Sequence, residues 1–244
     1  RNKIFYEVDL NEGIDLGIFN NIKNEKKIIN VKKLLKNQPQ TTIIDVGSNV
    51  GSVALPLSKF FNKSFIFAIE PTVYAYKKLK KNINLNLNLK KRIKALNYFI
   101  SNKNSKVKYA HSSWNFNKKN KRHSIHLGSL KKITQNNIIS LDKLIAKENR
   151  KVHFIKIDVD GYELDVLKSA TKSIKKFKPI IHIEFAPYLH SEFGYSTNNL
   201  ISFIENKIKY KFYSEDLKKI ENIKSYVKKI KNRSENFFLI NKKF

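Results

Sequence analysis

Thr42-Ile43-Ile44-Asp45-Val46-Gly47-Ser48-Asn49-Val50-Gly51 is the stretch that decides the fold. Its first half is a β-branched run, and branched side chains pack well on a pleated strand while fitting a helix less easily. Its second half holds two glycines and leads into an apolar helical pattern from Val50 to about Phe61. Strand, glycine turn and helix in that order form the unit through which an α/β sheet offers backbone N–H groups to a nucleotide-type ligand. Gly47 permits the tight turn and close approach of a ligand, and Gly51 lets helix and strand pack closely. The dinucleotide fingerprint is absent, because Ser48-Asn49-Val50 separates the glycines and Asp45 precedes them. An acid there repels a pyrophosphate and suits a ligand that carries an ammonium group.

Outward from this turn, β-branched runs alternate with amphipathic stretches. Strands are expected at Ser64–Ile69, Ile93–Ile100, Val152–Asp158, Pro179–Phe185, Lys209–Ser214 and Asn236–Ile240. Helices are expected at Thr72–Asn86, opened by Pro71 with Thr72 as cap, and at Glu163–Phe177, Thr197–Asn206 and Leu217–Ile230. Val107–Ser140 breaks the pattern and reads as an insertion, with a short strand near Lys106–Ala110 and a return at Ile138–Leu141. Such alternation implies an α/β fold with a parallel sheet covered by helices on both faces. Ligands in such sheets sit beyond the carboxyl ends of the strands, so the residues that end each strand carry the functional information.

Glu70 ends the second strand 19 residues after Gly51, the distance at which an acid can accept both hydroxyls of a ribose. The same residue could instead favour the N-terminus of the following helix. Asp158, Asp160 and Glu163 crowd the end of the fourth strand, where carboxylates raise one another's pKa and could supply a base or hold a cation. Asp160 and Glu163 could equally cap the next helix. On the fifth strand His182 and Glu184 share a face at period two, so they should either satisfy each other or border the ligand cleft.

Composition narrows the field. The chain has 244 residues, enough for one core that buries about 70–75% of the unfolded surface. With no cysteine, disulfides, thiolate metal sites and cysteine nucleophiles are excluded. No run of about 18 apolar residues marks a membrane span, and Arg1–Tyr6 does not read as a signal peptide, so a cytoplasmic protein is expected. The absence of any methionine leads us to expect missing N-terminal residues. A net charge of +29 ordinarily suggests nucleic acid or an anionic surface. Here it comes from 44 Lys against 5 Arg, beside 29 Asn and 31 Ile spread through every kind of segment, which resembles a codon bias more than a built patch. Nucleic acid is kept as a possible partner and is not favoured.

Taken together, these residues resemble the FkbM family of S-adenosylmethionine-dependent methyltransferases over roughly Thr41–Pro187. The resemblance rests first on Ile44–Gly51, Ala68-Ile69-Glu70-Pro71, the run Leu79–Asn86 and Ser140–Leu144. It rests further on Ile155-Lys156-Ile157-Asp158-Val159-Asp160-Gly161-Tyr162-Glu163 with Val166-Leu167 and Ala170, and on Lys178–Glu184. It implies a Rossmann-like class I methyltransferase: a seven-stranded, mostly parallel sheet in which an antiparallel last strand, Asn236–Ile240, lies beside the fifth. It implies S-adenosylmethionine as cofactor, its methionine part held by Asp45, Gly47, Ser48, Asn49 and Gly51, its ribose by Glu70, its adenine near Ser101. The chain departs from the family at Phe99-Ile100-Ser101, where Ala-x-Ser is usual, and at Asp160, where Glu is usual.

The family implies methylation of a hydroxyl on a saccharide or small natural product, which needs alignment and a base for the hydroxyl proton. Asp158 is the first candidate base, followed by Glu184 and His182. No metal set is assigned, since His123 and His126 sit in a Lys-rich loop. Trp114, flanked by Ser112, Ser113 and Asn115, is a candidate sugar platform or a loop anchor. The domain reading is an N-terminal extension, residues 1–40, with a helix and strand packing on a methyltransferase domain, residues 41–244, that carries an insertion at about 110–137. An RNA methyltransferase or RNA-binding protein, and a non-catalytic cofactor-binding subunit, remain the alternatives. The acceptor and the oligomeric state are not legible.

Overall fold

The computed structural model describes residues 4–20, 25–35, 40–102, 109–112, 129–133 and 137–241. Two compact units emerge, Arg1–Phe99 with Ser105–Ile138, and Ile100–Asn104 with Ile139–Phe244. The first half of the chain runs through α1 (Gly13–Phe19), α2 (Glu25–Leu34), β1 (Thr41–Val46), α3 (Ala54–Phe60), β2 (Ser64–Ile69), α4 (Val73–Asn84), α5 (Leu87–Lys90) and β3 (Ile93–Leu96). Four short strands follow, β4 (Phe99–Ile100), β5 (Tyr109–Ser112), β6 (Ser129–Lys132) and β7 (Ile138–Ile139). The remainder holds α6 (Leu141–Glu148), β8 (Phe154–Ile157), α7 (Glu163–Ser169), α8 (Thr171–Phe177), β9 (Ile180–Phe185) and α9 (Pro187–His190). It ends with α10 (Thr197–Ser202), a π-helical turn at Phe203–Lys207, β10 (Lys211–Tyr213), α11 (Ile223–Lys229) and β11 (Glu235–Ile240).

Seven strands form one mostly parallel sheet in the order β10-β11-β9-β8-β1-β2-β3. Parallel pairing joins β1 to β2, β2 to β3 and β8 to β9, while β11 runs antiparallel to both β9 and β10. This is the arrangement the family resemblance implies, with the last strand inserted beside the fifth of the large strands. All six residues of β1 and all four of β8 are buried, Asp45 and Lys156 among them, so apolar residues dominate these central strands without filling them.

Within the first unit, α4 buries Ala75, Leu79, Asn82 and Ile83, a stripe at helical spacing. Asn82 carries the only polar side chain of that stripe, and each end of its amide is used. Its Nδ2 donates to the Val50 carbonyl at 2.9 Å, and its Oδ1 accepts from the Glu7 N–H at 2.8 Å. Asn86 likewise clasps the backbone of Phe5, with bonds of 2.9 Å and 2.8 Å. The buried Asp15 carboxylate meets Lys78, and Glu12 lies 3.9 Å from Lys131. Residues 4–20 are thereby tied across α4, with α1 as their helix; among the described residues of the extension no strand is assigned.

Within the second unit, Phe185, Phe212 and Phe237 pack edge to face around β9, β10 and β11. For three of the helices that differ from their sequence expectation the reason is local. α3 begins at Ala54 rather than Val50, because Gly47, Asn49 and Gly51 have φ of +79°, +47° and +91° and spend the preceding residues on the turn. The run Glu163–Phe177 breaks into α7 and α8 at Ala170, whose φ and ψ of −110° and 7° are not helical. Residues 217–222 fold back on β10, with Leu217 at φ +60° and Ile220 N–H donating to Phe212, so α11 starts only at Ile223.

Candidate active site

The glycine turn is built from its backbone. Gly47 N–H and Ser48 N–H both donate to the Ile69 carbonyl, at 3.0 Å and 2.9 Å, which fastens the turn after β1 to the end of β2. The Ser48 hydroxyl closes the turn on the Asp45 carbonyl at 2.8 Å. A Cβ at Gly51 would stand 3.0 Å from Leu79 and 3.2 Å from Leu55, so this glycine serves close helix packing, as its position suggests. Asp45, at the end of β1, is fully buried.

Glu70 organises the neighbouring tip. One carboxylate oxygen accepts the Asn49 N–H at 3.0 Å; the other accepts the Thr72 N–H at 2.9 Å and the Thr72 hydroxyl at 2.6 Å. Thr72 thus stands at the N-cap position of α4 without making the capping bond expected from its type, because its hydroxyl serves Glu70. The Glu70 carbonyl is held in turn by Asn97 at 2.8 Å. The antiparallel pair β5 and β6 reaches this region through Ser112, 3.4 Å from Asn49 Nδ2, and a bridge joins Ile133 to Thr72. Trp114, His123 and His126 lie outside the described residues.

Asp45, Asn49 and Glu70 supply carboxylate and amide oxygens around a backbone turn, which matches the donor and acceptor needs of an ammonium group and a nucleoside hydroxyl. Asn49 Oδ1 is buried without a hydrogen-bond partner among the described residues, an acceptor left for a ligand. The residues of this unit therefore fit S-adenosylmethionine.

In the second unit Ser101 is buried, and its N–H donates to Ile139 at 3.1 Å. Lys156, Asp158, His182 and Glu184 stand on β8, just beyond it, and on β9, and parallel register sets Lys156 beside His182. The buried Lys156 ammonium lies 3.2 Å from Asp158 Oδ2, a buried cation paired with a carboxylate that is 40% exposed. His182 does not pair with Glu184: its Nε2 lies 2.5 Å from Glu215 Oε1, and its ring meets Phe238 edge to face at 4.8 Å. Glu184 is bonded by the Ser234 hydroxyl, and burial first, then the charges of Asp158 and Asp160, push its carboxyl well above the ordinary range. Oxygens of Asp158, Asp160 and Glu184 lie within 4.8 Å of one another. Proximity of acids alone assigns no metal.

The turn after β8 is held by Glu163, which is completely buried. Its Oε1 accepts from Gly161 N–H at 3.1 Å and from Val159 N–H at 3.4 Å; the Tyr195 hydroxyl lies 3.2 Å from its Oε2 and 2.9 Å from the Gly161 carbonyl. Asp160 and Gly161 have φ of +48° and +102°, and a Cβ on Gly161 would fall 2.3 Å from the Phe193 ring. Sequence reasoning did not single out Tyr195, Glu215 or Ser234. They come from loops beyond β9 and β10, where neither periodicity nor spacing gives a signal; Lys156 stood two residues before Asp158 and was open to detection by strand alternation.

A family model described as the methyltransferase FkbM domain matches residues 45–212. The chain belongs to the FkbM methyltransferase family. Among solved structures it is similar to an FkbM methyltransferase from Methylobacillus flagellatus KT, with 17% identity and a TM-score of 0.48 over 82% of this chain. This chain spans 44% of the length of that FkbM protein. A human methyltransferase 10 domain containing protein matches 98% of this chain and 89% of its own length, with 12% identity and a TM-score of 0.52. The METTL16 methyltransferase domain matches 98% and 74%, also with 12% identity and a TM-score of 0.52. At these identities the last two show the fold, a Rossmann-like methyltransferase. Among curated proteins none matches. Among the described residues no helix is long and apolar enough to cross a membrane.

Proposed function

We propose that this FkbM family member uses S-adenosylmethionine to methylate a hydroxyl oxygen of a saccharide or small natural product. In this reading Asp45, Gly47, Ser48, Asn49 and Gly51 hold the methionine part, Glu70 the ribose, and Ser101 lies near the adenine. When bound, the cofactor supplies an electrophilic methyl group on a sulfonium. The chain's own residues then align the acceptor and remove its proton. In this reading residues 41–244 are the methyltransferase domain and residues 1–40 its N-terminal extension.

The observation that carries the proposal is the gathering of Asp158, Asp160 and Glu184 at the strand ends, their oxygens within 4.8 Å of one another. A hydroxyl is a weak nucleophile, and a carboxylate held above its ordinary range by burial and by two neighbouring acids is a stronger base than a free one. Glu184 is therefore our first base, with Asp158 next; Lys156 already draws on one of the Asp158 oxygens. His182 is committed to Glu215 and takes a supporting role. Titration calorimetry with S-adenosylmethionine, followed by a screen of glycosides and small hydroxylated acceptors, tests the reading. Absence of nucleoside binding defeats it, and binding without turnover on any acceptor favours a non-catalytic subunit.

The charge of +29 supports a second reading, an RNA-directed enzyme. Three clustered carboxylates at the proposed acceptor site would repel phosphate, which favours an uncharged acceptor. A steep salt dependence of RNA binding would reverse this preference.

A further inference from the structure

The turn from Asp158 to Gly161 carries two of the three clustered acids, yet its backbone sits in a conformation that ordinary side chains avoid at Asp160. Something must fix it. The Glu163 side chain grips it on its N–H side and the Tyr195 hydroxyl on the Gly161 C=O, while the Tyr162 N–H reaches the Val159 carbonyl at 3.4 Å.

Hydrogen counting makes this grip conditional. A carbonyl only accepts, so the single Tyr195 hydrogen is required by Gly161 O at 2.9 Å. The 3.2 Å contact between Tyr195 O and Glu163 Oε2 is then a hydrogen bond when Glu163 carries a proton there and donates it. An ionised Glu163 would compete for the Tyr195 hydrogen and leave the Gly161 carbonyl without it.

Resting on the function proposed above, we propose that Glu163 and Tyr195 are a positioning pair: a proton shared between them decides whether the turn bearing Asp158 and Asp160 is held on both of its sides. The groups around the pair are Asp158 on the turn itself, Glu184 on β9, Tyr188 on α9 and Asp165 on α7, while His190 of α9 stacks on the Tyr195 ring at 4.9 Å. Burial pushes Glu163 up to about 7, holds His190 down at about 4 and keeps the Tyr195 phenol neutral. Glu163 therefore changes charge near neutrality, and the buried imidazole does not. An opening that lets water reach Glu163 is favoured once it ionises, so the turn loosens as pH rises.

Amide hydrogen exchange of the full chain, without nucleoside or acceptor, tests the pair. Protection factors of Val159 and Gly161, corrected for intrinsic exchange, should fall about tenfold from pH 6 to pH 8. Glu163→Gln should keep the pH 6 protection and abolish the step, since an amide accepts from Gly161 and donates to Tyr195 as the protonated acid does. Glu184→Gln should retain the step. Tyr195→Phe should lower protection at every pH, and it carries the test should Glu163→Gln fail to fold. A flat wild-type profile, a step that survives Glu163→Gln, or a Tyr195→Phe variant with undiminished protection would overturn the proposal. Failure of the wild-type protein to bind S-adenosylmethionine in calorimetry overturns the enzymatic reading alone, and the exchange profile then decides the pair by itself.

Discussion

Glu70 Oε2 accepts a hydrogen bond from the Asn49 backbone N–H at 3.0 Å, which ties the tip of β2 to the glycine turn after β1. The other oxygen is saturated by Thr72, so a side chain proposed to hold a ribose is itself set in place by three protein donors. Removing it would lose a ligand contact and also release the turn. Glu70→Ala should weaken S-adenosylmethionine binding by about 100-fold, with a loss of stability of about 2–4 kcal/mol from the orphaned donors. Glu70→Gln, which keeps one acceptor, should cost about tenfold in affinity and less in stability. Calorimetry and urea unfolding check the two effects separately, and undiminished affinity in a folded Glu70→Ala variant would contradict the assignment.

Burial raises Glu163 from its ordinary value near 4.5 to about 7, and the sign of the consequence follows from proton counting. Between these values the folded protein keeps a proton that the unfolded chain releases, so stability falls as pH rises from about 4.5 to about 7 and is level above that. The full effect is about 3 kcal/mol. Melting temperature against pH should show this decline in the wild-type protein and a flatter curve in Glu163→Gln, because the amide has no proton to lose.

Gly161→Ala should lower stability by about 2–4 kcal/mol, since the residue sits at φ +102° and its new Cβ would meet the Phe193 ring at 2.3 Å. The double variant Gly161→Ala with Phe193→Ala should recover the steric part and keep the backbone penalty. Thermal unfolding of the three variants measures the division. A Gly161→Ala protein as stable as wild type would show that the turn can move without cost.

How much of this was legible beforehand depended on whether the signal was local. β1, β2, β8, β9 and β11 were readable because their apolar and β-branched residues gather into short runs, interrupted at Asp45, Lys156, His182 and Glu184. The glycine turn was readable from Asp45, Gly47 and Gly51, whose types are dictated by backbone geometry at single positions. The partners of the acids were not. That His182 meets Glu215 rather than Glu184, and that Tyr195 grips Gly161, is settled by loops 33 and 34 residues away, and no periodicity links such positions. Thr72 illustrates the same limit at short range: its type announces a cap, yet the stronger charge-assisted acceptor, Glu70, takes its hydroxyl.

His182→Ala should separate support from chemistry. The ring is fully buried against Phe238 and bonded to Glu215, so its removal should cost about 2–4 kcal/mol through the cavity and the lost bond. S-adenosylmethionine affinity should stay within about twofold of wild type. A variant of full stability that has lost turnover would instead place His182 in the reaction.

The base assignment makes the last prediction, and its sign distinguishes the two leading carboxylates. A base must be unprotonated to accept the hydroxyl proton, so with Glu184 held above its ordinary range the rising limb of the pH–rate profile should lie above the range of a free glutamate. Burial first, and then the charges of Asp158 and Asp160, hold Glu184 up. Asp158→Asn removes one of those charges, so with Glu184 as base the limb should shift to lower pH while turnover persists. Glu184→Gln should lower kcat by about 100-fold or more. If Asp158 is the base, Asp158→Asn should instead abolish turnover at every pH, and Glu184→Gln should mainly displace the profile. Steady-state rates of the two variants across pH 5–9, on an acceptor found in the screen, decide between them.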